Sequence, residues 1–476
     1  MTVRPADEPS ATEESSTSGG PSRRLARLIL VTLLMAELLI QVDQTIVNVA
    51  LPFIQRDLGF TVSGLPWVVN AYALLYGGLL LLGGRIGDVF GRRRVLIIGI
   101  TVFTLASVVC GFSPNPTVMV VGRAVQGVGG ALTAPVVLSL IITSFEEGPK
   151  RQKALALWGS AAAAGSLLGL LIGGLLTSGP GWPFSFFLSI PIGLAIVVLS
   201  ATTIADSRAE ERPTLDVAGA VTITAALLLT VFAFLATEDP WLSLQRGGLL
   251  VVAAVLFAAF VVVEQRQAHP VVPLRVFRSR NTSGALGIMM MFGATQMSYF
   301  FFVTLYLQEL LGFSALRTGV AYLPLIGILL VSAQVGTKTV GKVGLTRMLL
   351  IGLSCLSVGM AWLGVAAPSV TYAGAVLGPT ILSGIGLGLT MMPASSIATV
   401  GVAPADAGAV SGLFNTAMLI GGSLGLAVLT TVTQAAGGLG GTHGFRVGFL
   451  SCAAIMVVAL AVTVLVIRMP SRSEAA

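Results

Sequence analysis

Long apolar runs fill most of the chain, and polar residues are concentrated in the short segments between them. A helix needs about 20 apolar residues to cross a bilayer, and many of these runs reach that length. They lack the alternation of a lipid-facing strand, so the pattern predicts membrane helices rather than a β-barrel. We expect about fourteen spans, near residues 25–51, 66–83, 95–112, 117–143, 152–177, 184–204, 216–236, 247–264, 282–307, 316–336, 345–366, 370–392, 404–430 and 446–467.

Composition supports the same class of protein. Hydrophobic residues make up 55% of the 476 positions and charged residues only 10%, whereas soluble domains carry about 25% charged residues. This balance excludes an ordinary soluble globule. We expect no enzyme, because no loop is long enough to hold a soluble active site and no nucleophile–base set is present. The three cysteines lie inside predicted spans without metal-ligand spacing, so no metal site is expected.

Basic residues are concentrated in alternate loops. One set of loops and tails carries most of the 27 lysines and arginines, and the other set holds only Arg56, Arg246, Arg317 and Arg446. By the positive-inside rule, this asymmetry predicts a multi-pass protein of the cell (cytoplasmic or inner) membrane with both chain ends in the cytoplasm. The net charge of +7 then follows from topology and indicates no nucleic-acid partner.

The first predicted helix carries a polar stripe. Glu37, Gln41, Gln44 and Asn48 are separated by four, three and four residues, so they fall along one helix face. A polar stripe in a membrane helix is expected to line a protein interior or a wet cavity rather than lipid. Asp43 lies roughly 120° round the helix from that stripe. We therefore expect the two acids to have different roles.

Arg123 is the only basic residue predicted inside a span away from its ends, where an unpaired charge is costly. At 1.5 Å per residue it lies ~10 Å below the outer end of its helix, close to the depth of Asp43. The spacing therefore predicts a cross-helix Asp43–Arg123 interaction, direct or through water. Two structural alternatives stay open: Asp43 as an acid that only ties neighbouring helices together, and Glu37 as a protonated, packed side chain.

The second span ends in the run GRIGDVFGRRR at residues 84–94. This run resembles the G-x-x-x-D-x-x-G-R-[KR] signature between helices two and three of the major facilitator superfamily. The resemblance implies a cytoplasmic gating cluster that latches the two halves of the molecule together when the cavity faces outward, formed by Gly84, Asp88, Gly91, Arg92 and Arg93. The alternative is an ordinary positive-inside loop.

Two further runs resemble motifs of the same family. GRAVQGVGG at residues 122–130 is similar to the R-x-x-Q-G-x-G motif, which adds Gln126 to the candidate site. GSLLGLLIGG at residues 165–174 resembles the antiporter motif through Gly165, Gly169, Gly173 and Gly174, but Leu170 stands where the family has proline. A generic small-residue packing seam is the alternative interpretation of these glycines.

A run at the start of the sixth span, together with one in the first span, resembles one branch of this family. The run GWPFSFFLSIPIG at residues 181–193, together with VDQTIVNVALP at residues 42–52, resembles the fourteen-helix drug:proton antiporters of the EmrB/QacA type. That resemblance implies an all-α major facilitator fold with two six-helix bundles, 25–204 and 281–468, joined by a linker at 205–280 that holds two extra membrane helices. Residues 1–24 and 469–476 are predicted to be cytoplasmic tails, the first of them disordered. A monomer is expected.

The resemblance implies a proton-coupled efflux antiporter that exports lipophilic, cationic drug-like compounds and needs no cofactor besides the proton gradient. Asp43 is predicted as the coupling acid and Glu37 as a contact for substrate charge, with the roles exchangeable. A symporter or uptake carrier on the same fold, and a non-transporting sensor or lipid-handling protein, remain as alternatives. The proton-coupling candidates are Asp43, Arg123 and Glu37, and the substrate-binding candidates are Glu37, Gln41, Gln44, Asn48, Gln126, Gln296, Tyr299, Phe300 and Asn415.

Aromatic density in the ninth span is the reason for including Tyr299 and Phe300, since aromatic faces bind flat cations. Packing against lipid or other helices accounts for such residues equally well. In the thirteenth span, relatives usually place Arg-Gln where this chain has Met418 and Leu419, so Asn415 lies beside a site that has lost a cation.

Overall fold

A computed structural model describes residues 23–207, 216–235, 243–267, 272, 274–369 and 371–468. Within those ranges all regular structure is helical. The helices are α1 Arg23–Leu58, α2 Trp67–Phe90, α3 Arg92–Gly111, α4 Pro116–Ser144, α5 Pro149–Ser178, α6 Pro183–Phe187, α7 Ser189–Thr203, α8 Val217–Leu235, α9 Leu244–Arg266, α10 Arg280–Leu305, α11 Ala315–Ala321, α12 Leu323–Val343, α13 Leu345–Ala366, α14 Gly378–Thr399, α15 Pro404–Ala435 and α16 Thr442–Val466.

Among the described residues, 14 helical segments are long and apolar enough to cross a membrane, which confirms the predicted all-α fold with fourteen spans. Two of these segments are built from two helices each: α6 with α7, and α11 with α12. Arg23 and Arg24, which the prediction assigned to the first tail, belong to α1. The rest of both predicted tails lies outside the described residues.

Each half packs around its own long helices. In the first half, α1 packs on α5, and α4 packs on both α2 and α3. In the second half, α10 packs on α15 and α16, while α14 packs on α12 and α13. The close approach needs glycine: a Cβ on Gly129 of α4 would lie 2.7 Å from the backbone nitrogen of Phe103 on α3.

The two extra helices, α8 and α9, form a hairpin beside the seam between the halves. They pack on each other, and α8 also packs on α2 and α15, one helix from each half. Further along the linker, Arg275 donates to both carboxylate oxygens of Asp406, at 3.0 and 2.6 Å. Hydrogen bonding to Asp406 raises the pKa of Arg275, so this exposed pair ties the linker to the start of α15.

The halves meet closely at one end of the bundle. We call the end where α1, α3, α5 and α13 begin the basic end, and the other the opposite end. At the opposite end Gln308 donates to the carbonyl of Val49 at 3.0 Å, and Ser178 Oγ accepts from the Leu316 nitrogen at 3.0 Å. Toward the basic end, α5 touches α12 at few points, and a Cβ on Gly159 would meet nothing within 4 Å. The interior is therefore closed at the opposite end, and toward the basic end the halves separate between α5 and α12, while α2 and α15 stay in contact.

Candidate transport cavity

A cavity of about 380 Å³ lies between the halves, bounded by α1, α2, α4 and α5 on one side and α10, α12, α14 and α15 on the other. Its size and its position between two bundles are typical of a small-molecule site. The wall is mostly apolar, with polar side chains at a few places. The polar and aromatic lining residues are Gln41, Gln44, Thr45, Asn48, Tyr72, Arg123, Ser166, Phe292, Gln296 and Phe300.

The α1 stripe reaches the cavity through three of its four members. Gln41, Gln44 and Asn48 line the wall, as the helical spacing predicts. Glu37 does not line it: its side chain is buried and accepts hydrogen bonds from Gln41 Nε2 and Trp158 Nε1, both at 2.9 Å. Glu37 therefore lies outside the described cavity lining, with both of its oxygens engaged between α1 and α5.

Asp43 and Arg123 form the predicted ion pair directly, without a water between them. Arg123 Nη1 lies 2.7 Å from Asp43 Oδ2, and its Nε donates to the carbonyl of Val68 at 2.9 Å. Gln126 Nε2 donates to Asp43 Oδ1 at 3.1 Å and to Ser107 Oγ at 2.7 Å. Both charged groups are almost fully buried, and a buried pair of this kind is tolerated only when its polar atoms are satisfied.

Arg123 also belongs to the cavity wall. Its guanidinium lies 4.5 Å from the ring centre of Tyr72, a cation–π contact, while Asp43 sits behind it and is not among the lining residues. Arg123 is thus shared between the buried carboxylate and the cavity. Sequence reasoning missed Tyr72, Ser107 and Trp158, because a tyrosine, serine or tryptophan in an apolar span carries no signal of what its polar atom will meet.

Three other substrate candidates lie away from the lining. Gln126 is fully buried in the Asp43 network, and the hydroxyl of Tyr299 is 3.0 Å from Thr380 Oγ1 inside the second half. Asn415 is exposed and donates to its own helix at Ser411. None of these three residues is among the described residues that line the cavity in this structure. Gln296 and Phe300 do line the cavity.

The candidate gating motif is organised within the first half. Asp88 accepts from Arg92 Nε at 3.1 Å and Nη2 at 2.8 Å across the turn at Gly91, where φ is 103°. Glycine suits that left-handed backbone, and a Cβ there would lie 2.5 Å from Asp206 Oδ1. Arg93 donates to the carbonyl of Ile204.

These described contacts of Asp88, Gly91, Arg92 and Arg93 lie within the first half and at the start of the linker. Gly84 lies farther along α2 toward its middle, beside Pro135 of α4.

The glycines of the antiporter-like run form a seam. A Cβ on Gly165 would lie 2.8 Å from Gln41 Cβ, and one on Gly173 would lie 2.9 Å from the carbonyl of Ile46, both on α1. Gly169 packs on α1 between them, whereas a Cβ on Gly174 would lie 2.7 Å from the carbonyl oxygen of Ala315 in the other half. The run therefore joins α1 to α5 and also closes the opposite end of the molecule.

Comparison with known proteins agrees with this architecture. A family model described as "Major Facilitator Superfamily" matches residues 33–426. The chain is 37% identical to the cephamycin export protein CmcT of Amycolatopsis lactamdurans over 436 residues, covering 90% of this chain and 88% of that protein. It is 38% identical to the puromycin resistance protein pur8 of Streptomyces alboniger over 426 residues, covering 89% and 84%.

A third relative is the tetracenomycin C resistance and export protein of Streptomyces glaucescens, 34% identical over 436 residues that cover 90% of this chain and 79% of that protein. Among solved structures, an auto-inhibited POT family peptide transporter superposes with a TM-score of 0.69 at 16% identity, covering 94% of this chain and 98% of that one. That likeness shows the fold alone. The family match over most of the chain confirms the predicted resemblance: the protein belongs to the major facilitator superfamily of membrane transporters.

Proposed function

We propose that the protein exports drug-like small molecules across the cytoplasmic membrane in exchange for protons. Three relatives named as export or resistance proteins for antibiotics support export of such compounds. The observation that carries the proposal is the position of Arg123, which bonds buried Asp43 on one side and lines the cavity on the other.

Coupling follows from that shared position. When Asp43 is ionised, it balances the Arg123 guanidinium and accepts its Nη1 hydrogen bond. A proton on Asp43 removes the negative charge, leaves the guanidinium unbalanced in a buried place, and so favours rearrangement of the cavity wall. Because proton and substrate then bind different arrangements of the same wall with different affinities, each shifts the occupancy of the other.

Glu37 takes a positioning role in this scheme. It accepts the Gln41 amide, and Gln41 is the residue that reaches the cavity. Its second oxygen accepts from Trp158 on α5, so it fixes the α1–α5 seam as well. Asp43 is therefore the better candidate for the coupling proton, and Glu37 acts on substrate through Gln41.

The positive-inside rule assigns the basic end to the cytoplasm. In that orientation the cavity opens inward, and α5 with α11 closes the outer side. Arg56 and Glu309, 2.7 Å apart, bridge the halves on that outer side. The proposal needs a single chain and no cofactor besides the proton gradient.

Everted membrane vesicles test both export and its direction. Respiration acidifies the vesicle interior, so the wild-type protein is expected to accumulate puromycin inside, and a protonophore is expected to abolish this accumulation. Asp43→Asn at matched expression serves as the coupling control. Puromycin loss from the vesicles under the same gradient would instead identify a symporter, and gradient-independent behaviour across a panel of compounds would reject a proton-coupled carrier.

A further inference from the structure

The polar groups of the cavity wall are amides and hydroxyls. Gln41, Gln44 and Asn48 contribute amides from α1, and Gln296 contributes one from α10 across the cavity. Among the described lining residues there is no aspartate or glutamate. A wall of this kind offers hydrogen-bond donors and acceptors without a compensating negative charge.

The cavity wall carries one positive charge, that of Arg123, and the carboxylate of Asp43 balances it. Arg123 is the one charged side chain among the described lining residues, and its partner Asp43 lies behind it. A cationic guest would lose its hydration, find no carboxylate, and face a guanidinium. When Asp43 binds a proton the wall becomes more positive still, so a cation is disfavoured in both protonation states.

The apolar part of the wall fits flat, polarisable compounds. Phe292 and Phe300 supply aromatic faces, and Met297, Met391 and Met418 supply flexible thioethers that adapt to different outlines. A wall that combines amides with aromatic and methionine side chains fits a ring system that bears carbonyl or hydroxyl groups.

We propose, as a refinement that rests on the export function above, that the substrates are uncharged aromatic compounds bearing carbonyl or hydroxyl groups and that permanent cations are excluded. This replaces the sequence-based expectation of cationic substrates. The reason is the displacement of Glu37 from the cavity: the acid that would have received the cation is bonded to Gln41 and Trp158 instead.

Acridone and 10-methylacridinium test this inference, because they share a ring frame and differ in charge. Binding to the purified full-length protein in detergent is followed by ligand fluorescence, with acridone expected to bind at least tenfold more tightly. Gln296→Glu is expected to raise 10-methylacridinium affinity at least tenfold, and the matched Gln296→Met is expected to weaken acridone without helping the cation. Equal affinity of the wild type for both probes would overturn the inference.

Proton movement in proteoliposomes separates this inference from the export proposal. An acridone-dependent proton flux, read by a pH-sensitive dye trapped inside, supports both. Selective acridone binding without any proton flux for any compound would reject coupled export and keep the substrate class. Proton flux driven equally by acridone and 10-methylacridinium would support coupled export and reject the proposed substrate class.

A different observation concerns two buried acids at the basic end of the α8–α9 hairpin. Asp216 Oδ1 accepts from the Gly219 nitrogen at 2.8 Å and from Gln267 Nε2 at 3.3 Å, and Glu264 Oε2 accepts from the Val272 nitrogen at 3.2 Å. The remaining oxygens, Asp216 Oδ2 and Glu264 Oε1, are buried and have no hydrogen-bond partner among the residues that the structure describes. They lie 2.5 and 2.9 Å from the point that a Cβ on Gly219 would occupy, so they face each other.

Two buried carboxylates beside each other repel strongly when both are ionised, and this repulsion favours the state in which the pair holds one proton. Among the described residues, Arg85 of α2 is a charged group within electrostatic range of both. We infer that Asp216 and Glu264 form a one-proton site, in which a single proton joins Asp216 Oδ2 to Glu264 Oε1. The site links the start of α8 to the end of α9 and lies beside the α2 segment that carries the gating motif.

Thermal unfolding of the full chain in detergent across pH tests the shared proton. A proton held by the folded state stabilises it at low pH, and this stability is lost as pH rises and the proton dissociates. Glu264→Gln supplies a non-titrating amide donor to Asp216, so it is expected to keep the melting temperature and flatten its pH dependence. Glu264→Ala is expected to lower the melting temperature at all pH values.

Infrared spectroscopy gives the second measurement. The wild type is expected to show a protonated-carboxyl C=O band that disappears in both Glu264→Gln and Asp216→Asn. A pH profile of stability that is the same in wild type and Glu264→Gln, or the persistence of the band in both variants, would overturn the one-proton site.

Discussion

Arg123 Nη1 lies 2.7 Å from Asp43 Oδ2, and each side chain is only 1% exposed. The pair joins α4 to α1, while the same guanidinium forms part of the cavity wall. A buried pair that also borders a binding cavity links two equilibria, protonation and ligand binding. We propose that this pair is the feature on which transport depends.

Asp43→Asn is expected to abolish proton-driven accumulation, with at least a tenfold loss in everted vesicles. The amide keeps a hydrogen bond to Arg123 but cannot gain and lose a proton. Equilibrium binding of an uncharged probe is expected to change by less than tenfold. A variant that still concentrates substrate at the wild-type rate would exclude Asp43 as the coupling acid.

Arg123→Gln combined with Asp43→Asn is expected to be less damaging to stability than Arg123→Gln alone. Removing one partner of a buried pair leaves an uncompensated charge that costs about 3–5 kcal/mol, whereas removing both leaves none. A double-mutant cycle on detergent-solubilised protein measures the coupling free energy. Additive losses of stability would show that the two residues do not interact in solution.

Glu37→Gln is expected to raise the KM for transport severalfold while leaving the proton dependence intact. The neutral amide has one acceptor oxygen, so it cannot receive both Gln41 Nε2 and Trp158 Nε1 as the carboxylate does. Trp158→Phe, which removes one of these donors, is the matched control and is expected to give a similar shift. Loss of all proton dependence in Glu37→Gln would assign the coupling role to Glu37.

A disulfide between Ser178→Cys and Leu316→Cys is expected to stop transport, and reduction of that disulfide is expected to restore transport. In the wild type Ser178 Oγ accepts the Leu316 nitrogen at 3.0 Å, where α5 meets α11 at the opposite end. A cross-link there holds that end closed, and alternating access requires it to open. Each single cysteine variant is the control. Full transport with the cross-link in place would show that this contact does not separate during the cycle.

Gly173→Leu is expected to destabilise the folded protein by several kcal/mol, because its Cβ alone would lie 2.9 Å from the Ile46 carbonyl on α1. Leu175→Val, two residues away on a side chain that is 58% exposed, is the control and is expected to have little effect. Thermal unfolding in detergent measures both. Equal stability of the two variants would show that the α1–α5 seam tolerates bulk.

The sequence by itself determined the class, the number of spans and the family, because apolar run length, loop charge and short glycine motifs are local properties of the chain. It also determined which face of α1 carries Gln41, Gln44 and Asn48, since helical spacing depends on the backbone alone. It also predicted the Asp43–Arg123 pair from the similar membrane depths of the two residues, because an unpaired charge in a membrane interior requires a partner at the same depth.

Only the tertiary structure decided which polar residues of each face reach the cavity. Glu37 lies on the predicted face, but its second oxygen accepts a hydrogen bond from Trp158 of α5. That contact depends on how α1 and α5 pack together, because the two residues are 121 positions apart in sequence. Tyr299 and Gln126 lie outside the cavity lining for the same reason, because each side chain forms a hydrogen bond with a neighbour in its own half. The meeting of Asp216 with Glu264 likewise depends on hairpin packing, because a carboxyl group in the sequence does not reveal the group that it will face.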